Sequence, residues 1–165
     1  MDDRDDRAYA RPPRPEDVAL ISRALNEAGA RYLLIGGFAV NAHGLLRPTK
    51  DIDFLIDDSP ENVERAKKAL AVLPDNAAAE MADTDVREYG VVRVADEVVV
   101  DLLGRACGVS YDEAIADAQT MNIEGVEVPV ASLRTLIRTK QTIRPSDSAD
   151  RQFLEDKLAN EGRKD

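Results

Sequence analysis

Between Ile35 and Ile56 the chain sets two apolar runs around a glycine pair, Gly36-Gly37, and closes on Asp51-Ile52-Asp53-Phe54-Leu55-Ile56. Residues two apart in a strand point to the same side. Asp51 and Asp53 therefore project together, while Ile52, Phe54 and Ile56 face the opposite side into a core. Two carboxylates held that close repel each other, and burial raises the cost. A divalent cation is the usual compensation, and hard oxygen ligands suit Mg²⁺, which is commonly held by a few carboxylates plus substrate phosphates. The pattern asks for a metal and a nucleotide.

The flanking residues sharpen that demand. Gly36-Gly37 stands where a strand turns into a helix, so its backbone can approach a ligand closely, and the first N–H groups of the helix attract phosphate. A ligand-free strand–helix turn is the plainer reading of the same pair. Asp101 lies between Val98-Val99-Val100 and Leu102-Leu103. An isolated ionised carboxylate inside an apolar strand is strongly disfavoured, so it is either an exposed acid on an edge strand or the third carboxylate of a metal site. Asp83-Thr84-Asp85 repeats the Asp-x-Asp spacing without flanking alternation or an upstream glycine pair, and reads as a solvated loop.

Composition narrows the class. The 165 residues fit one domain of ordinary size. With 22 Lys+Arg against 32 Asp+Glu, the net charge of −10 argues against a general nucleic-acid binder, whose affinity comes from cationic phosphate contacts. The one cysteine, Cys107, cannot close an intramolecular disulfide, which fits a reducing cytosol. Residues 1–15 are charged rather than apolar, unlike a signal peptide. No apolar run approaches the roughly 18 residues that span a membrane.

Periodicity orders the elements. Residues 1–15, rich in Asp, Arg and Pro, read as a mobile tail, and 16–165 as a single domain. Helices are expected over 16–28, 36–43, 60 to about 73, 111–119, 133 to about 142 and 147–159; Ser59, Ser110 and Ser132 are candidate caps. Strands are expected over 31–35, 50–56, 91–95, 98–103 and 126–130, with Asp96-Glu97 joining a hairpin. Residues 75–89 show no firm period. The fold class is α/β, a mixed β-sheet flanked by helices.

In order, Gly36-Gly37, Asp51-x-Asp53 and Asp101 resemble the nucleotidyltransferase superfamily with the DNA-polymerase-β-like fold. More narrowly, Arg31–Ile56 with Ala42-His43-Gly44 and Arg47-x-Thr49-x-Asp51-x-Asp53, plus Lys140, Arg144, Asp147 and Asp150, resembles the small bacterial AbiEii/AbiGii-toxin-type nucleotidyltransferases. That resemblance implies that Asp51, Asp53 and Asp101 hold two Mg²⁺ ions, or Mn²⁺, with Asp101 also helping to activate the acceptor. It implies backbone contact of Gly36 and Gly37 with the triphosphate, and a triphosphate-supporting role for Lys140. On the residues alone, Lys140 reads equally as a solvated lysine at a helix end. Arg47 and Thr49 enter the metal strand and count as nucleotide-side candidates; the alternatives are an ion pair from Arg47 to Asp51 or Asp53 and a loop cap at Thr49. His43, the one histidine, suits packing at a helix C-terminus. Arg144, Asp147 and Asp150 form either an acceptor-side cluster or, for the two acids, favourable charges at a helix start.

The implied activity is transfer of a nucleoside monophosphate from a triphosphate to a hydroxyl or phosphate acceptor, with release of pyrophosphate. The acceptor is a protein, a tRNA or a small molecule, and a toxin role implies an antitoxin partner in the cytoplasm. A small-molecule, antibiotic-type nucleotidyltransferase uses the same metal site. A glycosyltransferase would explain Asp-x-Asp but neither Gly36-Gly37 nor Asp101. A non-catalytic nucleotide-binding module remains the non-enzyme alternative. The larger toxin-type enzymes carry an extended C-terminal helical region, so a reduced acceptor-binding part is expected here.

Overall fold

The computed structural model describes residues 10–140 and 145–162. Six strands form one mixed sheet: β1 (Tyr32–Ile35), β2 (Ile52–Ile56), β3 (Val91–Ala95), β4 (Val99–Leu103), β7 (Gln119–Ile123) and β8 (Val126–Val130), in the order β3-β4-β2-β1-β8-β7. The short strands β5 (Arg105–Ala106) and β6 (Val109–Ser110) pair separately. Helices α1 (Pro15–Glu27), α2 (Gly36–Ala42), α3 (Pro60–Leu70), α4 (Asp85–Tyr89), α5 (Tyr111–Ile115), α6 (Leu133–Thr139) and α7 (Pro145–Gly162) flank the sheet. This is the mixed α/β architecture that the periodicity predicts.

The pleat divides the sheet as the sequence predicts. Ile52, Phe54 and Ile56 are fully buried, and Phe54 meets Tyr32 edge-on with ring centroids 5.5 Å apart. The Tyr32 hydroxyl bonds Asn26 Oδ1 at 2.7 Å, which ties β1 to α1. Val18, Ile21 and Leu25 of α1 are buried at helical spacing. On the other face, registers align Ile35 with Asp53, Asp53 with Asp101, and Asp101 with Arg93. One row of side chains thus runs across four strands.

The structure corrects three sequence expectations. The segment 1–15 is not tail throughout. Residues 1–9 lie outside the described residues, but Pro13 is buried and Arg11 donates its backbone N–H to Glu97 and its guanidinium to Asp17 at 2.8 and 2.6 Å. The helix expected over 111–119 stops at Ile115, and Gln119–Ile123 is an edge strand. Its residues are mostly polar because only its partner β8 is well buried. The turn that makes this hairpin, Glu124-Gly125, has both φ angles positive, 49° and 85°, as a two-residue hairpin turn requires. Residues 75–89, without a period, contain a 3₁₀ turn (Ala77–Glu80) and α4. They are held by buried Asp96, whose carboxylate accepts the N–H groups of Asp75, Ala77 and Glu97.

Asn62 locks the two site strands to α3. Fully buried, it accepts the Arg31 N–H at 2.7 Å and donates to the carbonyls of Arg31 and Asp57 at 2.9 and 2.7 Å. Truncation strands the Arg31 N–H and the Asp57 carbonyl, at the start of β1 and the end of β2, while the Arg31 carbonyl keeps the Asp57 N–H at 3.3 Å. Asn62→Ala is expected to lower unfolding free energy by about 3 kcal/mol in urea titrations, against less than about 0.5 kcal/mol for exposed Glu61→Ala. Equal stability of the two variants would refute this locking role.

Candidate active site

The chain enters β2 through the loop 43–51. Asp51 lies one residue before the strand and Asp53 within it. Beside them, parallel β4 brings Asp101 into register with Asp53. The carboxylates of Asp51, Asp53 and Asp101 offer one oxygen each, all within 4.8 Å of one another. Asp101 is buried and belongs to an interior strand, so the edge-strand reading of this residue does not hold. Such a trio of hard oxygen donors fits a divalent metal ion.

Repulsion within the trio shows in its protonation. Burial, then the negative charges of Asp51 and Asp101, then a hydrogen bond with Asp101 push the Asp53 carboxyl from 3.8 up to about 8, against a smaller opposing effect of Lys140. The carboxylates line one face of a cavity of about 340 Å³, whose other walls include Gly36, Arg93, Arg105, Cys107, Thr139 and Lys140. Three cationic side chains and three carboxylates therefore share one cleft.

The glycine pair is fixed by close approach. Gly36 has φ +72°, and a Cβ there would lie 2.1 Å from Asp53 Oδ2. A Cβ on Gly37 would lie 2.4 Å from the Thr49 methyl. Only glycine admits β2 and its entry loop so near to the start of α2. Gly37 is explained by that packing, and Gly36 also edges the cavity.

Several side chains sit otherwise than the alternatives above suggest. Arg47 does not pair with Asp51 or Asp53. Its guanidinium makes a two-pronged bond to Asp150, at 2.8 and 2.6 Å. Thr49 caps nothing: its hydroxyl is buried without a hydrogen-bond partner among the described residues. Lys140 is not a solvated lysine. It is buried, with its ammonium 3.4 Å from Asp147 and 3.3 Å from Asp150, both buried as well. Asp147 and Asp150 are thus charge partners as well as acids of the first turns of α7. Arg144 lies outside the described residues. His43 is buried at the C-terminal end of α2, with Nε2 2.9 Å from the Ala131 carbonyl oxygen, and burial lowers its pKa.

Arg93 is the residue that sequence reasoning missed. Its Nε–H donates to Asp101 Oδ1 at 2.9 Å, and one terminal nitrogen lies 3.0 Å from Asp101 Oδ2 and 3.3 Å from Asp51 Oδ2. The signal lay in hairpin register. A two-residue Asp96-Glu97 loop would set Arg93 opposite Val100 and on the other face. The loop has three residues, 96–98, with Ala95 opposite Val99, so Arg93 faces Asp101.

A family model for the nucleotidyl transferase AbiEii toxin of type IV toxin–antitoxin systems matches residues 19–152. The chain belongs to this AbiEii family of nucleotidyltransferases. No curated protein matches it in sequence. Among solved structures, it is similar to the Thermotoga maritima protein TM1012, described as a candidate nucleotidyltransferase. The TM-score is 0.53 at 13% identity, over 93% of this chain and 98% of the other, a likeness of fold.

The raised Asp53 pKa sets a sign for stability. Folded Asp53 holds its proton more tightly than the unfolded chain does. Its contribution is complete below about pH 3.8 and is lost as pH rises through about 8. Asparagine at that position avoids the loss. In EDTA, Asp53→Asn is expected to melt above the wild type near pH 9, by at least the few degrees that each kcal/mol produces in a domain of this size. The gap should close on titration towards about pH 4, and a pH-independent gap would contradict the raised carboxyl.

Lys140 carries a second consequence. Removing one partner of a buried ion pair leaves uncompensated charge, so Lys140→Ala is expected to cost about 3 kcal/mol in denaturant titrations. A cost under about 0.5 kcal/mol would mark a solvated lysine instead.

Proposed function

We propose that this protein is a Mg²⁺-dependent nucleotidyltransferase that moves a nucleoside monophosphate from a nucleoside triphosphate to a hydroxyl or phosphate acceptor, releasing pyrophosphate. We read it as the toxin of a cytoplasmic toxin–antitoxin or phage-defence pair, with an antitoxin as partner and a protein, tRNA or small molecule as acceptor. The observation that carries the chemistry is the convergence of Asp51, Asp53 and Asp101 in a cleft that Lys140, Arg93 and Arg105 also line. The family match carries the toxin reading.

In this reading Asp51, Asp53 and Asp101 hold the metal, with Mn²⁺ able to replace Mg²⁺. Bound there, a pair of divalent ions supplies Lewis-acid stabilisation to the entering and leaving oxygens of an in-line displacement. Asp101, on β4, takes the proton from the acceptor hydroxyl. The backbone at Gly36 and Gly37 borders the triphosphate, with Gly36 at the edge of the cleft. Lys140 presents a fixed positive charge to the phosphates, and Asp147 and Asp150 hold it in place. Arg47, anchored on Asp150, positions the loop that carries Thr49 and Asp51 on the nucleotide side.

The test is transfer of label from α-³²P nucleoside triphosphates, with Mg²⁺, to the RNA and protein of a cell lysate. The wild type is expected to label one acceptor class, and Asp51→Asn and Asp53→Asn to lose at least a hundredfold in rate. Full transfer by Asp53→Asn would overturn the metal mechanism. Lys140→Ala is expected to lose about a hundredfold when compared at equal folded fraction. Wild-type rate under that condition would confine Lys140 to a structural part.

A further inference from the structure

Arg93 lies where a metal-binding site is least expected to tolerate a cation. Its guanidinium takes both oxygens of Asp101 and one of Asp51. Those oxygens belong to two of the three carboxylates that converge. A carboxylate with both oxygens held by one guanidinium, as Asp101 is, has less to offer a divalent ion, and the added positive charge repels one. Arg93 is no accident of a mobile surface chain: it is cross-strand partner to Asp101, half-buried, and lines the cleft.

We propose that Arg93 is a gate on metal entry, a resident counter-ion that must release Asp51 and Asp101 before a divalent ion can bind. This rests on the metal-site reading above. The consequence is ordering. The free protein holds divalent ions weakly, and the metal enters together with a polyphosphate. The polyphosphate brings negative charge to the same cleft and gives the displaced guanidinium an alternative anionic partner. Arg93 is a positioning residue here and takes no part in bond making.

Mn²⁺ titration of the full chain, read by electron paramagnetic resonance without nucleotide, tests this directly. Arg93→Gln is expected to bind Mn²⁺ at least tenfold more tightly than the wild type, and Arg93→Lys to fall between them. A merely structural residue would weaken binding when removed, so a gain separates gating from scaffolding. Adding inorganic triphosphate is expected to tighten Mn²⁺ binding to the wild type far more than to Arg93→Gln. Wild-type Mn²⁺ affinity in Arg93→Gln, with binding still abolished by Asp53→Asn, overturns the gate and leaves the metal site standing. Absence of Mn²⁺ binding in every variant, with and without triphosphate, overturns the metal site itself and the gate with it. The wild type supplies a check that does not depend on a variant folding. Mg²⁺ with triphosphate is expected to move the Arg93 Nε–H resonance in nitrogen-15 spectra, as its bond to Asp101 breaks. A resonance that stays in place while Mg²⁺ and triphosphate saturate the site overturns the gate.

Discussion

Repulsion among Asp51, Asp53 and Asp101 is the constraint around which the rest of the site is arranged. Three carboxylates with oxygens within 4.8 Å of one another have no stable state as bare anions in a partly buried cleft. The structure answers that repulsion by two routes. Asp53 retains a proton into the neutral range, driven first by burial. Asp51 and Asp101 share the Arg93 guanidinium. Removing either answer leaves uncompensated negative charge within the carboxylate trio, which is also what would draw in a divalent cation. The same three carboxylates, so balanced in the folded chain, are the donor set that fits a divalent ion.

Strand register converts this electrostatic requirement into geometry. Because the pleat has a period of two, aligning Asp53 with Asp101 and Asp101 with Arg93 places all three side chains on one face. The opposite face of the same strands is Ile52, Phe54, Val100 and Leu102, all fully buried. A one-residue slip would place aspartates in that core, so the hydrophobic pattern and the charge pattern enforce a single register. Gly36 follows directly on β1 as the first residue of α2, where any side chain would collide with Asp53.

This division of labour explains what could be read from the sequence. Asp51-Ile-Asp53-Phe and the apolar run around Asp101 announce themselves locally, because each is a charge set against strand alternation. The glycine pair is legible for the same reason. Arg93 was invisible because its role depends on whether a hairpin loop has two residues or three, and Asp96-Glu97-Val98 carries no glycine or asparagine to decide it. Strand β7 is hidden by its exposed, mostly polar composition, and the helix expected over 111–119 runs up to its first residue, Gln119, for want of a breaker. Arg47 was read against the nearest acids in sequence, yet its partner Asp150 lies 103 positions away. Local pattern reveals what faces the core, whereas pairing between distant charges needs the fold.

The distant pairs matter because Asp51 is not in the sheet. Asp53 and Asp101 are held by strand hydrogen bonds, but Asp51 ends a loop whose position has to be set by side chains. On one flank, Thr49 packs into the space that Gly37 leaves by lacking a Cβ. On the other, Arg47 grips Asp150 of α7, and the same carboxylate, with Asp147, holds Lys140 at the wall of the cleft. Asp150 is fully buried and serves two cations at once, so it cannot satisfy one without constraining the other. The C-terminal helix is thereby coupled to both sides of the site: to the loop that delivers Asp51 and to the lysine facing it. Placement of the first carboxylate is in this sense a tertiary property, carried by a charge cluster that draws on both ends of the fold, whereas placement of the other two is a property of the sheet.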